Sequence, residues 1–129
     1  MGAEQETAIK SAIEEMEAEE ALHQEGEPPR YFARFSLAEQ EPWIEVVLAR
    51  ATVVNLWYPF DDEPGIVLGE VGVDLPPAFQ VIENANPSCT FSIPRAPAAE
   101  LARFVQDLFL KLYAADEEYA LLIEMCAFE

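Results

Sequence analysis

The strongest constraint on the fold lies in residues 97–113, PAAELARFVQDLFLKLY. Leu101, Phe104, Val105, Leu108 and Leu112 recur at i, i+3, i+4, i+7 and i+11, a spacing that lines up one stripe of an α-helix. Phe109 widens the stripe, and Glu100, Arg103, Gln106, Asp107 and Lys111 fill the other side. Pro97 suits the first turn, where a missing N–H costs nothing. Each Leu, Val or Phe that is fully buried contributes about 1.5–3 kcal/mol. A stripe this wide anchors a core, and it needs a sheet to lie on. Leu110 falls about half a turn from the stripe centre. The spacing therefore points it at solvent, amid Arg103, Gln106, Asp107 and Lys111. An apolar centre in a polar rim is the pattern of an interface, so Leu110 is a candidate contact of a symmetric homodimer.

The sheet is read from alternation. Residues 43–49, WIEVVLA, and 53–58, VVNLWY, are rich in Val, Ile, Leu and aromatics and are joined by a short connection, so they form a hairpin. A three-residue loop puts Ile44, Val46 and Leu48 on one face with Val54, Leu56 and Tyr58. That face should meet the 97–113 helix. The opposite face carries Trp43, Glu45, Val47, Val53, Asn55 and Trp57. Residues 30–37, RYFARFSL, alternate in the same way and precede a turn at 38–42. Two shorter strands, 79–83 and 88–93, flank the turn Asn84-Ala85-Asn86-Pro87. Residues 66–75, IVLGEVGVDL, read either as a strand interrupted by Gly69 and Gly72 or as a short helix, and YALLIEMCAF at 119–128 as a last strand or a short helix.

Residues 3–25 read as a helix of extreme composition. Residues 1–27 hold nine glutamates against one lysine, a local charge of −8. The apolar stripe is narrow (Ile9, Ala12, Ile13, Met16), Gly26 is a C-terminal stop, and Pro28-Pro29 forbids continuation. The expected organisation is an acidic N-terminal helix with a Pro-rich connection over 1–29, then a single domain over 30–129. The fold class is α+β: an N-terminal helix, an antiparallel sheet, and a long C-terminal amphipathic helix packed on it.

The whole chain carries −18, from 25 acidic and 7 basic residues. That balance disfavours nucleic acid and anionic membrane as partners and favours a basic or cation-bearing partner protein. No apolar run reaches the length of a membrane span, and the N-terminus lacks the pattern of a signal peptide, so a cytoplasmic protein is expected. Cys89 and Cys126 fit no metal or redox spacing and are expected to be two buried, inert thiols. Asp61, Asp62 and Glu63 are consecutive, without calcium-loop spacing, and are expected to form a solvated loop. No phosphate-binding, dinucleotide-binding or nucleophile-elbow motif is present, and the single His23 lies far in sequence from either cysteine. The expectation is a protein that is not an enzyme and needs no cofactor or metal.

From Trp43 onward the chain resembles the YbjN-like and type III secretion chaperone-like superfamily. The resemblance rests on WIEVVLARATVVNLWY, LGEVGVDLPPAF, ENANPSCTFSI and ELARFVQDLFLKLY, about two-thirds of the chain. It implies a homodimeric helix–sheet fold that binds amphipathic stretches of a partner and catalyses nothing. It departs from the pattern in the Gly- and Pro-rich segment 66–77 and in the apolar tail after the last helix. The leading expectation is a protein-binding chaperone or adaptor, with Trp43, Glu45, Asn55, Trp57 and Leu110 as candidate contacts. The alternative for the two tryptophans is a place in the core, under the N-terminal helix. The alternative function is an acidic immunity or inhibitor protein that neutralises a basic partner.

Overall fold

A computed structural model of the chain describes residues 3–21, 31–37, 42–48, 51–75, 78–85, 87–115 and 119–127. The expectations for His23, the connection at 22–30, the turn at 38–41 and the acids at 116–118 fall outside the described residues. In chain order the elements are α1 (Ala3–Ala21), β1 (Tyr31–Leu37), β2 (Trp43–Leu48), β3 (Thr52–Trp57), α2 (Pro64–Glu70), β4 (Gln80–Ala85), β5 (Ser88–Ile93), α3 (Ala98–Asp107) and β6 (Leu121–Ala127). The strands form one six-stranded sheet in the order β4-β5-β3-β2-β1-β6, with every neighbouring pair antiparallel. The class is α+β.

Alternation fixes the layers. Ala33, Phe35 and Leu37 of β1, Ile44, Val46 and Leu48 of β2, Val54 and Leu56 of β3, and Cys89, Phe91 and Ile93 of β5 are all buried. The face shared by Ile44, Val46, Leu48, Val54, Leu56 and Tyr58 is the one the hairpin spacing predicts, but the register pairs Ile44 with Leu56 and Val46 with Val54, two residues off the pairing that a connection at 50–52 would give. The same register adds a residue that the sequence leaves in the loop. Thr52 pairs with Leu48, so it points into the core, fully buried, with its hydroxyl unpaired.

The helices lie on this one face. α1 buries Ile9, Ala12, Ile13 and Met16 against α3 and strands β1, β2 and β6. Its glutamates at 4, 14, 15 and 19 stay exposed, which is how a helix of that composition is held by a narrow stripe. α3 buries Ala98, Leu101, Ala102 and Val105, and its Phe104 stands edge-on to Phe91 of β5. The segment with two readings is a helix. Pro64 opens α2 in the first turn, and Leu68 and Val73 enter the core. Gly72, at φ 88°, turns the chain in a conformation that suits glycine. The apolar segment near the C-terminus is the strand β6.

The end of the long helix departs from the α-helical spacing. From Leu108 to Leu112 the backbone winds as a π-helix. The Tyr113 N–H reaches back to the Leu108 carbonyl and the Ala115 N–H to the Phe109 carbonyl. The wider turn rotates side chains relative to the 3.6-residue stripe. Leu110, which that stripe sends to solvent, is half-buried and packs against the core. Lys111 caps the segment, pairing with Asp107 and donating to the Gly72 carbonyl at 3.0 Å. No helix among the described residues is long and apolar enough to cross a membrane.

Candidate functional site

Side chains on the second face of the sheet alternate with the core residues. Among the described residues no helix covers them. This face carries Phe32, Arg34 and Ser36 of β1, Trp43, Glu45 and Val47 of β2, Val53, Asn55 and Trp57 of β3, and Ser88, Thr90 and Ser92 of β5, all half-buried. Trp43 and Trp57 are thus not core residues under α1, which packs on the other side.

A polar row crosses the face. Glu124, Arg34, Glu45, Asn55, Thr90 and Glu83 are successive cross-strand partners over all six strands. In its middle the Arg34 guanidinium donates to Glu45 Oε2 at 3.3 Å, Asn55 Nδ2 donates to Glu45 Oε1 at 3.0 Å, and the Thr90 hydroxyl donates to Asn55 Oδ1 at 2.9 Å. One carboxylate therefore orders two neighbours, and Asn55 relays that order to a fourth strand. Beside this row stands an aromatic one. Ser36 pairs with Trp43 and Trp57 with Ser88, and continuing the β2–β3 register sets Trp43 across from Trp57. Arg34 lies over the Trp43 ring, 5.2 Å from its centroid, so one guanidinium serves both rows. Trp57 stands where the layers meet. Its ring is 6.0 Å from that of Tyr113, whose hydroxyl donates to the Trp57 carbonyl. On the other side of the polar row, Val47 pairs with Val53.

The charge of this surface differs from that of the molecule. On the four central strands, Arg34 and Glu45 are its only ionised side chains and they cancel, whereas the chain carries −18. Aromatic and neutral at its centre, with Glu124 and Glu83 at its two margins, the face can take another protein surface by burying rings and matching the polar row.

The candidate residues fall into two groups. Trp43, Glu45, Asn55 and Trp57 come together on the open face. Leu110 belongs to the helical layer and is not with them. Arg34 and Thr90 complete the row and were not among the candidates. Their alternation is visible in sequence, but their neighbours depend on the pairing of β1 with β2 and of β3 with β5.

The remaining polar groups serve the core. The Tyr58 hydroxyl donates to the Asp62 carbonyl at 2.6 Å, and burial, with help from Cys89 and Asp62, pushes its pKa up to about 12. The Tyr119 hydroxyl donates to Gln106 Oε1, and burial raises Tyr119 and Tyr113 well above the ordinary phenol range. Burial pushes the Cys89 thiol up to about 11. Cys126 departs from the expected pair of buried thiols. On β6, the last strand in the sheet order, it is only half-buried. Asp61, Asp62 and Glu63 are exposed in their loop, and among the described residues no group of three or more metal-ligating side chains could hold an ion. A cavity of about 390 Å³ between the end of β5 and α3 has a mixed lining, Arg95 and Arg103 with Asp74, Glu100 and Asp107.

No protein-family model, curated protein or solved structure matches the chain.

Proposed function

We propose that the chain is a non-enzymatic, cytoplasmic protein-binding protein, a chaperone or adaptor of the YbjN-like and secretion-chaperone-like kind, that holds its partner against the open sheet face. Trp43 and Trp57 are the anchors, and Glu45 and Asn55 supply the matched polar contacts. The observation that carries this reading is the centre of that face, which no helix among the described residues covers, aromatic and neutral over the four central strands on a chain of −18. Interface energy concentrates in large aromatic anchors surrounded by polar groups. A partner with an apolar seam flanked by hydrogen-bonding side chains fits; a densely basic surface does not fit there.

The second reading, an acidic inhibitor of a basic protein, draws on the exposed glutamates of α1. The two differ in their salt dependence. Docking through aromatic anchors changes little between low and high salt, whereas neutralisation through the glutamates weakens steeply. The experiment is to isolate the co-purifying partner and measure its affinity at two salt concentrations. A steep salt dependence, abolished by replacing Glu14, Glu15 and Glu19 with glutamine, overturns the open-face reading.

Self-association is the other use the same face supports, because two copies of this charge meet with least repulsion where the surface is neutral. Size-exclusion chromatography with light scattering decides whether the protein is a homodimer. Leu110→Glu is then expected to perturb packing rather than oligomeric state.

A further inference from the structure

β4 and β6 close the sheet on its two sides, and the two edges are built differently. A bulge between Val81 and Glu83 breaks β4, which also presents Gln80, Glu83 and Asn84. Kinks and polar side chains of this kind discourage further strand pairing. β6 has no bulge, and a single charged residue, Glu124, interrupts it. It pairs with β1 without a break from Tyr31–Ala127 to Leu37–Leu121, and its seven residues, LLIEMCA, include no proline, glycine or lysine. Three of its apolar side chains stay exposed, on both faces. Leu122 is 47% exposed on the open face, and Ile123 and Met125 are 36% and 39% exposed at the rim of the helical layer. The outer N–H and C=O groups of such a strand are a template for one more strand.

We infer that the outer edge of β6 is a strand-addition site whose occupant is an extended apolar segment of another protein flanked by lysine or arginine. Charge selects this occupant. Glu124 lies in the middle of β6. The first turn of α1, with Glu4 and Glu6, is held beside the start of the strand by Gln5 Nε2, which donates to the Tyr119 carbonyl at 2.9 Å. A second copy adding its own β6 would bring two chains of −18 edge to edge, each with these carboxylates. A basic-flanked strand makes the same main-chain bonds and meets opposite charge at the edge. Leu122 pairs with one side of the incoming strand, Ile123 and Met125 with the other. The added strand lies beside the sheet rather than over it, so this site is separate from the Trp43–Trp57 face.

The probe is a ten-residue peptide of alternating valine and threonine with two lysines at each end, compared with the same peptide ending in glutamates. Binding to the full chain is followed by backbone-amide NMR and hydrogen exchange. The lysine peptide is expected to bind saturably and slow exchange across 121–127, with affinity falling about tenfold between low and moderate salt. The glutamate peptide is expected to bind at least about tenfold more weakly. Leu122→Lys with Met125→Lys, both at exposed positions, should abolish binding while circular dichroism stays native. Ile82→Lys on the opposite edge should leave binding unchanged. Glu124→Lys, an exposed swap that leaves the apolar positions intact, should shift preference toward the glutamate peptide. Protection on β4 or on the open face instead of β6, equal binding of the two peptides, absence of saturable binding, or a concentration-dependent dimer that already protects β6 would each overturn the proposal.

Discussion

Replacing Glu45 by alanine tests whether the polar row orders the open face. The carboxylate accepts from Asn55 at 3.0 Å and from Arg34 at 3.3 Å. The Arg34 side chain is 41% exposed, so its ion pair belongs with surface pairs and contributes about 0.5 kcal/mol. The Asn55 bond is charge-assisted and half-shielded by the strands on either side, and contributes about 1–1.5 kcal/mol. Glu45→Ala should therefore destabilise by about 1.5–2 kcal/mol, and for a chain of this size that lowers Tm by about 5–10 °C. Asn55→Ala loses the same bond together with the one from Thr90, so its cost is similar or larger. The informative quantity is the coupling. In a double-mutant cycle followed by urea denaturation, the Glu45–Asn55 pair should show about 0.5–1.5 kcal/mol. Strict additivity would mean that the two side chains do not touch, and would refute the register that aligns the row.

Thr52→Val removes an unpaired, fully buried hydroxyl and keeps the side-chain shape, so it should raise stability by about 1 kcal/mol in the same assay. Tyr119→Phe takes away the hydroxyl that donates to buried Gln106 and should cost about 1–2 kcal/mol. In the native protein a thiol-alkylating reagent should label Cys126 and spare Cys89, with mass spectrometry giving the site; equal rapid labelling of both would contradict the packing around β5. Cys89 and Tyr58 have folded pKa values raised above their unfolded ones, so the stability they contribute is complete below about pH 9 and is lost as pH rises to about 12. Urea midpoints should stay flat through neutral pH and fall across that alkaline window, and less steeply in Cys89→Ala measured against its own neutral value.

Local patterns made much of the fold legible. The period-2 runs predicted β1, β2, β3 and β5, and the hairpin spacing predicted which residues of β2 and β3 share the core face. The helical stripe of 97–113 predicted α3. What the sequence hid depends on contacts distant in the chain. Whether Trp43 and Trp57 are covered turns on which side α1 packs, and its short stripe of Ile9, Ile13 and Met16 fits either face of a sheet. The pairing of β1 with β6 and of β3 with β5 is equally silent in sequence, so the row from Glu124 to Glu83 could not be assembled from spacing. Leu110 misled for a different reason. Its solvent-facing position assumes 3.6 residues per turn through a segment where the chain winds wider, and no residue type in LFLKL announces a π-turn. Thr52 reads as loop because it follows Arg50 and Ala51, yet it is the first buried position of β3.

The open face as the docking surface is tested most directly by the affinity of the isolated partner for two proteins, the native chain and Trp43→Ala/Trp57→Ala, with thermal melting as the control for folding. Buried aromatic anchors each contribute about 2 kcal/mol or more, so the double variant is expected to bind about a thousandfold more weakly, with little salt dependence in the native reference. A folded double variant that binds its partner as tightly as the native chain contradicts it.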